Sequence, residues 1–340
     1  MGIVTDVFSQ NAWGTLDVHE QIVERVDYVP GLLGQMGIFE PWYSRSKTLG
    51  IADKNKTVKL INTSERGSPP EEYIPQGARV RYFKPGRLAE GSTVYADELQ
   101  DVLQLPFESQ FREVSAEIAD RTAGINGDLD LTFEHMRLGA VQGKVYDADG
   151  TLLIDWFDEW GASAPASVSF ELDVAETDIR KVSRDIKRKM MTKAKGRWRA
   201  GTSIVNLCGD NFFDALVSHP LYKETKVNNE RTRELENIEG YSAVEYEGIL
   251  HVNYRGTDDG TTLSIPSNEG RIFPRGGGFF QAAFAPASEF KPYVNQRARE
   301  RYTMLLSDPS GREEWDRVEI YSYPLMVCNA PELLQKVTLT

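Results

Sequence analysis

Residues 107–150 read FESQFREVSAEIADRTAGINGDLDLTFEHMRLGAVQGKVYDADG, and this stretch decides the fold class. Phe107, Phe111, Val114 and Ile118 recur at three- to four-residue spacing, which places them on one face of a helix. Gly124 and Gly127 interrupt the pattern, each weakening a helix by roughly 1 kcal/mol relative to Ala. The period resumes through Leu129, Phe133, Met136 and Ala140. The spacing therefore predicts one long helix, bent or broken near Gly124 and Gly127. A period of two follows at once: Lys144–Asp147, the Asp149-Gly150 turn pair and Leu152–Phe157 predict a hairpin. Ser167–Leu172 alternates as a further strand. A long helix giving way to strands, with no regular βα alternation, indicates an α+β chain.

Upstream, residues 46–95 read as a long two-stranded excursion. Thr57–Thr63 is rich in β-branched residues, and Ala78–Phe83 sets Arg79 and Arg81 on one face against Val80 and Tyr82. Between them Ser64–Gln76 is rich in Ser, Pro, Gly and Glu, with the breaker pair Pro69-Pro70. A ribbon with so little apolar surface is marginal alone. It lies along another subunit or stands as a plain surface hairpin. Residues 1–45 read as an arm. Asp17 with Glu20 makes a capping-box pattern, and Pro30 suits the first turn of a short helix with Leu32, Leu33 and Met36 inward. The scattered aromatics Phe8, Trp13, Phe39, Trp42 and Tyr43 pack on the chain's own body or on neighbours.

Downstream, Ile179, Val182 and Ile186 line a helix that runs into ten basic residues between Arg180 and Arg199. Ile204–Cys208 reads as a buried strand, Asn211–Ser218 as helix, Val244–Tyr254 as strand and Gly276–Gly278 as a turn. Val318–Val327 returns to strand character around Pro324.

In 340 residues, 40% of them hydrophobic, there is enough material for one large or two medium domains. No apolar run approaches the roughly 20 residues that span a bilayer, so no membrane partner is expected. The first residues lack a basic stretch followed by an apolar one, so no signal peptide is expected. Cys208 and Cys328 have no metal or disulfide spacing and fit a reducing cytoplasm. A net charge of -12 argues against a protein that grips phosphate. The basic stretch with Trp198 is the exception; it suits single-stranded nucleic acid, a neighbouring subunit or solvent.

Chemistry is hard to find. His19, His135, His219 and His251 show no metal-ligand spacing, and there is no nucleophile elbow or P-loop. Asp147, Asp149, Asp155 and Asp158 fail as a calcium loop, because Leu152 stands where Gly is needed and Asp158 where Glu is expected. No catalytic, metal or cofactor site is expected.

The arrangement resembles the lambda-type phage major capsid proteins, the capsid protein E family. The resemblance lies in Leu32-Leu33-Gly34-Gln35-Met36-Gly37-Ile38-Phe39 leading into the body, in Val58–Ile61 with Arg66-Gly67, in Thr132-Phe133-Glu134 with Leu138 and Gly143–Asp147, and in Val318–Val327 followed by Pro331. It covers most of the chain and is least distinct over 220–275. It implies the Hong Kong-97-type capsid fold: an N-terminal arm (1–45), an extended loop (46–95), a peripheral domain (96–173 and 290–340) and an axial domain (174–289). It also implies a head-shell subunit of a tailed double-stranded DNA phage, made in the bacterial cytoplasm and located in the virion. Its partners would be many copies of itself as pentamers and hexamers, scaffolding and portal proteins, a decoration protein in some members, and packaged DNA without sequence-specific binding. Trp13, Phe39, Trp42, Arg66, Arg79, Arg81 and Tyr82 are the expected subunit-interface residues. Three other readings remain: a non-viral nanocompartment shell of the same fold, an α+β enzyme, and a DNA-packaging accessory.

Overall fold

The computed structural model describes residues 31–53, 79–96, 107–194, 196–228, 234–238, 241–255, 263–312 and 314–340. The expected helix around Asp17–Glu20 and the expected strand at 57–63 lie outside these residues. A single helical turn, α1 (Leu32–Gln35), buries Leu32 and Leu33, and Met36 follows them inward. Strands β1 (Glu40–Tyr43), β2 (Leu49–Asp53), β3 (Arg79–Phe83) and β4 (Leu88–Tyr95) precede the long helix α2 (Phe107–Gln142).

Helix α2 runs continuously through Gly124 and Gly127, which excludes the break among the two expectations there. Tertiary packing supplies what the two glycines withhold. Ile125 and Leu129 bury against Ile320 with Leu88 beside them, and Arg301 reaches both Asn126 and Asp130. Fully burying an aliphatic side chain contributes about 1.5–3 kcal/mol, so two such contacts exceed the glycine penalty.

After α2 come β5 (Lys144–Tyr146) and β6 (Leu152–Asp155), the expected hairpin, although its second strand stops two residues early. Asp155 accepts hydrogen bonds from the Phe157 and Asp158 amides, so Trp156 opens a short helix, α3 (Trp156–Trp160). Of the alternating run 167–172, β7 (Val168–Ser169) pairs with the C-terminal strand, and the Phe170 and Leu172 amides donate to the Thr338 and Leu339 carbonyls.

The next segment holds α4 (Ile179–Lys193), β8 (Ser203–Cys208), α5 (Asp210–Ser218), α6 (Pro220–Asn228), β9 (Glu234–Ile238), β10 (Tyr241–Tyr246) and β11 (Ile249–Asn253). The single strand expected at 244–254 is in fact a hairpin. Glu247 and Gly248 both adopt left-handed backbone, the conformation a two-residue hairpin turn requires. Strands β12 (Glu269–Arg275) and β13 (Phe280–Phe284) are joined by Gly276, Gly277 and Gly278, all left-handed, which makes that run a turn. Finally β14 (Tyr302–Ser307), β15 (Trp315–Ser322), β16 (Pro324–Cys328) and β17 (Gln335–Thr338) complete the described chain.

The largest sheet has the order β7-β17-β12-β8-β11-β10-β9. Residues of β8 alternate between two cores: Val205 and Leu207 join one cluster with Phe273, while Ile204 and Cys208 join another with Ile186, Phe212 and Leu216. That alternation is why a run apolar at four of its six positions forms a strand covered on both faces. Two three-stranded sheets, β1-β13-β16 and β14-β15-β4, flank α2. The pairing does not respect a boundary at 289/290. β13 leaves the large sheet to pair with β16, and β17 enters it from the C-terminus. A period of two identifies a strand but carries no information about its partner.

Candidate assembly surfaces

The root of the extended excursion is a two-stranded ribbon in which Leu49 pairs with Phe83, Gly50 with Tyr82, Ile51 with Arg81, Ala52 with Val80 and Asp53 with Arg79. Alternation puts Leu49, Ile51, Arg81 and Phe83 on one face and Gly50, Val80 and Tyr82 on the other. The first face is the inner one. Leu49, Ile51 and Phe83 are buried in the main core. Phe83 meets Trp156 edge-on at 5.3 Å and Trp160 at 6.3 Å, and the two indoles stack at 6.3 Å. Trp156 Nε1 donates to the Met326 carbonyl at 3.2 Å and Trp160 Nε1 to that of Cys328 at 2.9 Å.

Arg81 joins this inner face because its stem covers the rings while its charge is met. Its guanidinium lies over Trp160 at 5.7 Å and pairs with Glu159 at 3.1 Å. Two of the three apolar side chains of β3, Val80 and Tyr82, face outward, while Phe83 stays inward. Tyr82 is 74% exposed and Val80 48% exposed. An exposed apolar pair on the outer face of a strand, with an arginine on its inner face, is unlike the arrangement a solitary subunit would favour.

Among the seven expected interface residues, the ribbon brings together Arg81 and Tyr82, with the Arg79 backbone two pairs beyond Arg81. Trp13 and Arg66 lie outside the described residues, as does the Arg79 side chain. Phe39 is buried within its own subunit, 5.2 Å from the Phe280 ring. Trp42 is half-buried against the same core on β1, next to Tyr43 stacked on Phe284.

The residue that sequence reasoning missed is Glu134. It is buried, and its Oε1 accepts from the Leu33 amide at 2.7 Å and from the Tyr254 hydroxyl at 3.3 Å. Oε2 accepts from the Gly34 amide at 3.3 Å and faces Arg137 at 3.6 Å. Glu134 thus caps the first turn of α1 and ties the incoming arm to the middle of α2. The fit is close: a Cβ on Gly31 would stand 2.5 Å from the Glu134 carboxyl carbon. Burial pushes the Glu134 carboxyl above the usual range, against the opposing pull of the Leu33 amide, Arg137, the Gly34 amide and Tyr254. A signal was present. Glu134 shares a stripe with Leu138 and Val141, at i+4 and i+7, and a carboxylate on an apolar stripe needs a partner.

The groups considered for chemistry have local structural partners. His219 Nδ1 accepts from the Leu221 amide at 3.3 Å, which leaves Nε2 as the donor to the Val174 carbonyl at 3.2 Å. His251 is fully buried opposite Asn206 on the paired strands, with Asn206 Nδ2 3.0 Å from its Nδ1. Asp149 accepts from the Thr151 amide in the hairpin turn, and Asp155 caps α3 and pairs with Lys144 at 2.8 Å. Cys208 and Cys328 are buried free thiols; burial pushes Cys208 up and Cys328 to about 12. Among the described residues no cluster of His, Cys, Asp or Glu fit to hold a metal occurs, and no helix is long and apolar enough to cross a membrane.

Comparison with known proteins agrees with a surface-driven role. Residues 17–339 match the family described as phage major capsid protein E. The major capsid protein of Pseudomonas phage KPP10 is 24% identical, covering 94% of this chain and 96% of that one. The major capsid protein of Salmonella phage Felix O1 (isolate Felix O1-VT1) is also 24% identical, covering 93% of each. The solved asymmetric unit of the bacteriophage PhiM1 mature capsid superposes with a TM-score of 0.50 at 11% identity, over 93% of this chain and 88% of that one. At that identity the likeness is one of fold.

Proposed function

The chain belongs to the phage major capsid protein E family, and from this membership we propose how its surfaces divide the work of assembly. It is a structural protein with the Hong Kong-97-type fold, the major capsid protein of a tailed phage, and many copies form the icosahedral head shell of the virion. In our reading the extended segment 46–95 reaches over a neighbouring subunit, and the N-terminal arm does the same. The observation that carries it is the outward apolar face of the ribbon. Val80 and Tyr82 are exposed on a strand whose other face is rooted in the core. Rigid roots spare a projecting segment part of the ordering cost when it docks.

The seven-stranded sheet with α4, α5 and α6 serves as the axial domain at five-fold and six-fold axes, and α2 with the β14-β15-β4 sheet as the peripheral domain. Arg79, Arg81 and Tyr82 contribute to the intersubunit contact, with Trp13 and Arg66 in the flanking segments; Trp42 presents its outer edge. Scaffolding and portal proteins, and in some circumstances a decoration protein, meet the shell. It encloses double-stranded DNA without reading sequence. Synthesis takes place in the host cytoplasm. In this reading the protein performs no catalysis, and the buried Glu134, His219 and His251 serve packing.

Electron microscopy and light scattering of the purified protein test this reading. Closed particles are expected; a monodisperse monomer across salt and concentration would overturn it. Val80→Asp with Tyr82→Asp should leave thermal unfolding of the subunit within about 0.5 kcal/mol, as exposed positions do. The same pair should cut particle yield at least about tenfold, since losing even one buried apolar side chain per contact costs about 1.5 kcal/mol or more. Deleting residues 64–76 should likewise leave a folded subunit that forms no uniform shells. Normal particles from both variants would remove the extended segment from the mechanism.

A further inference from the structure

The basic helix α4 and the loop before it form a charge-separated strip. Residues 171–178 contain Glu171, Asp173, Glu176 and Asp178 and no cation, whereas residues 180–199 contain ten cations and one carboxylate, Asp185. Part of this charge is used inside the subunit. Arg180 pairs with Glu224 at 3.9 Å, Arg184 with Glu247 at 3.1 Å, Arg188 with Asp185 at 3.2 Å and Arg197 with Glu332 at 2.6 Å. Asp178 caps α4 through the Lys181 amide, and Glu171 accepts from the Thr177 hydroxyl.

The remainder is unspent. Lys181, Lys187, Lys189, Lys193 and Arg199 have no ion-pair partner among the described residues, and neither have Asp173 and Glu176. Each end also exposes one apolar side chain. Val174, 43% exposed, lies between Asp173 and Glu176; Met191, 46% exposed, lies one turn from Lys187, while Lys189 and Lys193, one turn from each other, form a separate face roughly opposite Met191. The acidic loop is held in shape by the Val174 amide donating to Glu171, the Thr177 amide donating to Val174, and His219 on the Val174 carbonyl. At 1.5 Å per residue the helix puts the two ends roughly 20 Å apart. One copy therefore cannot close the pair on itself.

We propose that the acidic, Val174-centred loop of one copy docks on the basic face of α4 that carries Lys189 and Lys193 in the next, as a head-to-tail contact between copies of this chain. Such a contact is heterologous, and its rotation closes into a ring. Opposite charges on the two surfaces set the register of the contact and speed its formation. Packaged DNA fits the strip less well, because a phosphate backbone laid along α4 meets the four carboxylates at its N-terminal end. The inference rests on the assembly function above and adds which surfaces meet.

A charge exchange tests it on the full chain. Asp173→Lys with Glu176→Lys, and separately Lys189→Glu with Lys193→Glu, should each lower particle yield at least about tenfold, with an unchanged far-ultraviolet circular dichroism spectrum and melting temperature. The variant carrying all four substitutions should recover to within a few-fold of wild type, because the pair is restored with its signs exchanged. A four-fold variant as defective as either double variant overturns the contact. So do double variants that assemble normally, or a Lys189/Lys193 variant whose shells form normally but retain less DNA. Failure of the wild-type chain to form particles would instead count against the assembly function itself.

Discussion

Replacing Glu134 by alanine is expected to lower subunit stability by about 3–5 kcal/mol, the usual cost of removing one partner from a buried charged pair. The substitution withdraws the acceptor that serves the Leu33 and Gly34 amides and the Tyr254 hydroxyl, and leaves the buried Arg137 facing the gap. Glu134→Gln keeps the size and one acceptor oxygen, so a smaller loss of about 1–2 kcal/mol is expected. The pH dependence has a defined sign. The folded carboxyl is raised above its ordinary 4.5, so its contribution is fully present below that value and declines as pH rises through the folded pKa. The deficit of Glu134→Gln should therefore be larger near pH 4 than near pH 7. Urea unfolding at the two pH values reads both effects. A Glu134→Ala subunit as stable as wild type would show that the arm's first turn is held by packing alone.

Acid is expected to weaken the subunit through His251. Burial holds this histidine neutral, with its pKa lowered to about 3 from the ordinary 6.5. Between those values the unfolded chain binds the additional proton, so stability is full above about 6.5 and is lost as pH falls towards 3. At 1.36 kcal/mol per pH unit the full loss is at most roughly 4–5 kcal/mol. Over the range above 4.5 Glu134 works in the opposite direction and partly offsets it. His251→Gln removes the titrating group while retaining an amide beside Asn206, so its stability should change less between pH 6.5 and pH 4 than that of wild type. Its stability at neutral pH should be about 1–3 kcal/mol lower, because the strand face is packed around an imidazole. Parallel acid profiles for the two proteins would show that His251 is not the group responsible.

Both residues also show where sequence reading stopped. His251 was one of four histidines without ligand spacing, and nothing in its neighbours says that it is fully buried opposite Asn206. That juxtaposition exists because β11 and β8 pair in parallel, a register established across 45 residues of chain. Glu134 was more accessible, since a carboxylate on the stripe of Leu138 and Val141 is a local anomaly. Its partner, the amide of Leu33, lies 101 residues away. The Gly124–Gly127 interruption left a bend or a break open, because propensity is a local quantity. Packing of Ile125 and Leu129 against β15 and β4 outweighed it.

By itself the sequence determined the long helix, the hairpin after it, the α4 amphipathic face and strand β3 of the extended segment, but not the partner of β3, Leu49–Asp53. These depend on periodicities of 3.6 and 2, which are properties of neighbouring residues. It also placed Arg79 and Arg81 opposite Val80 and Tyr82, because alternation along a strand is obligatory. Only the tertiary structure decided which of those faces is inner. Trp160 and Glu159, presented by a helix that Asp155 starts in place of a strand, draw Arg81 inward and leave Tyr82 in solvent. Likewise β17 joined the large sheet and β13 left it. Strand partners and the sidedness of a ribbon are settled by what packs against them, and that depends on the whole chain being folded.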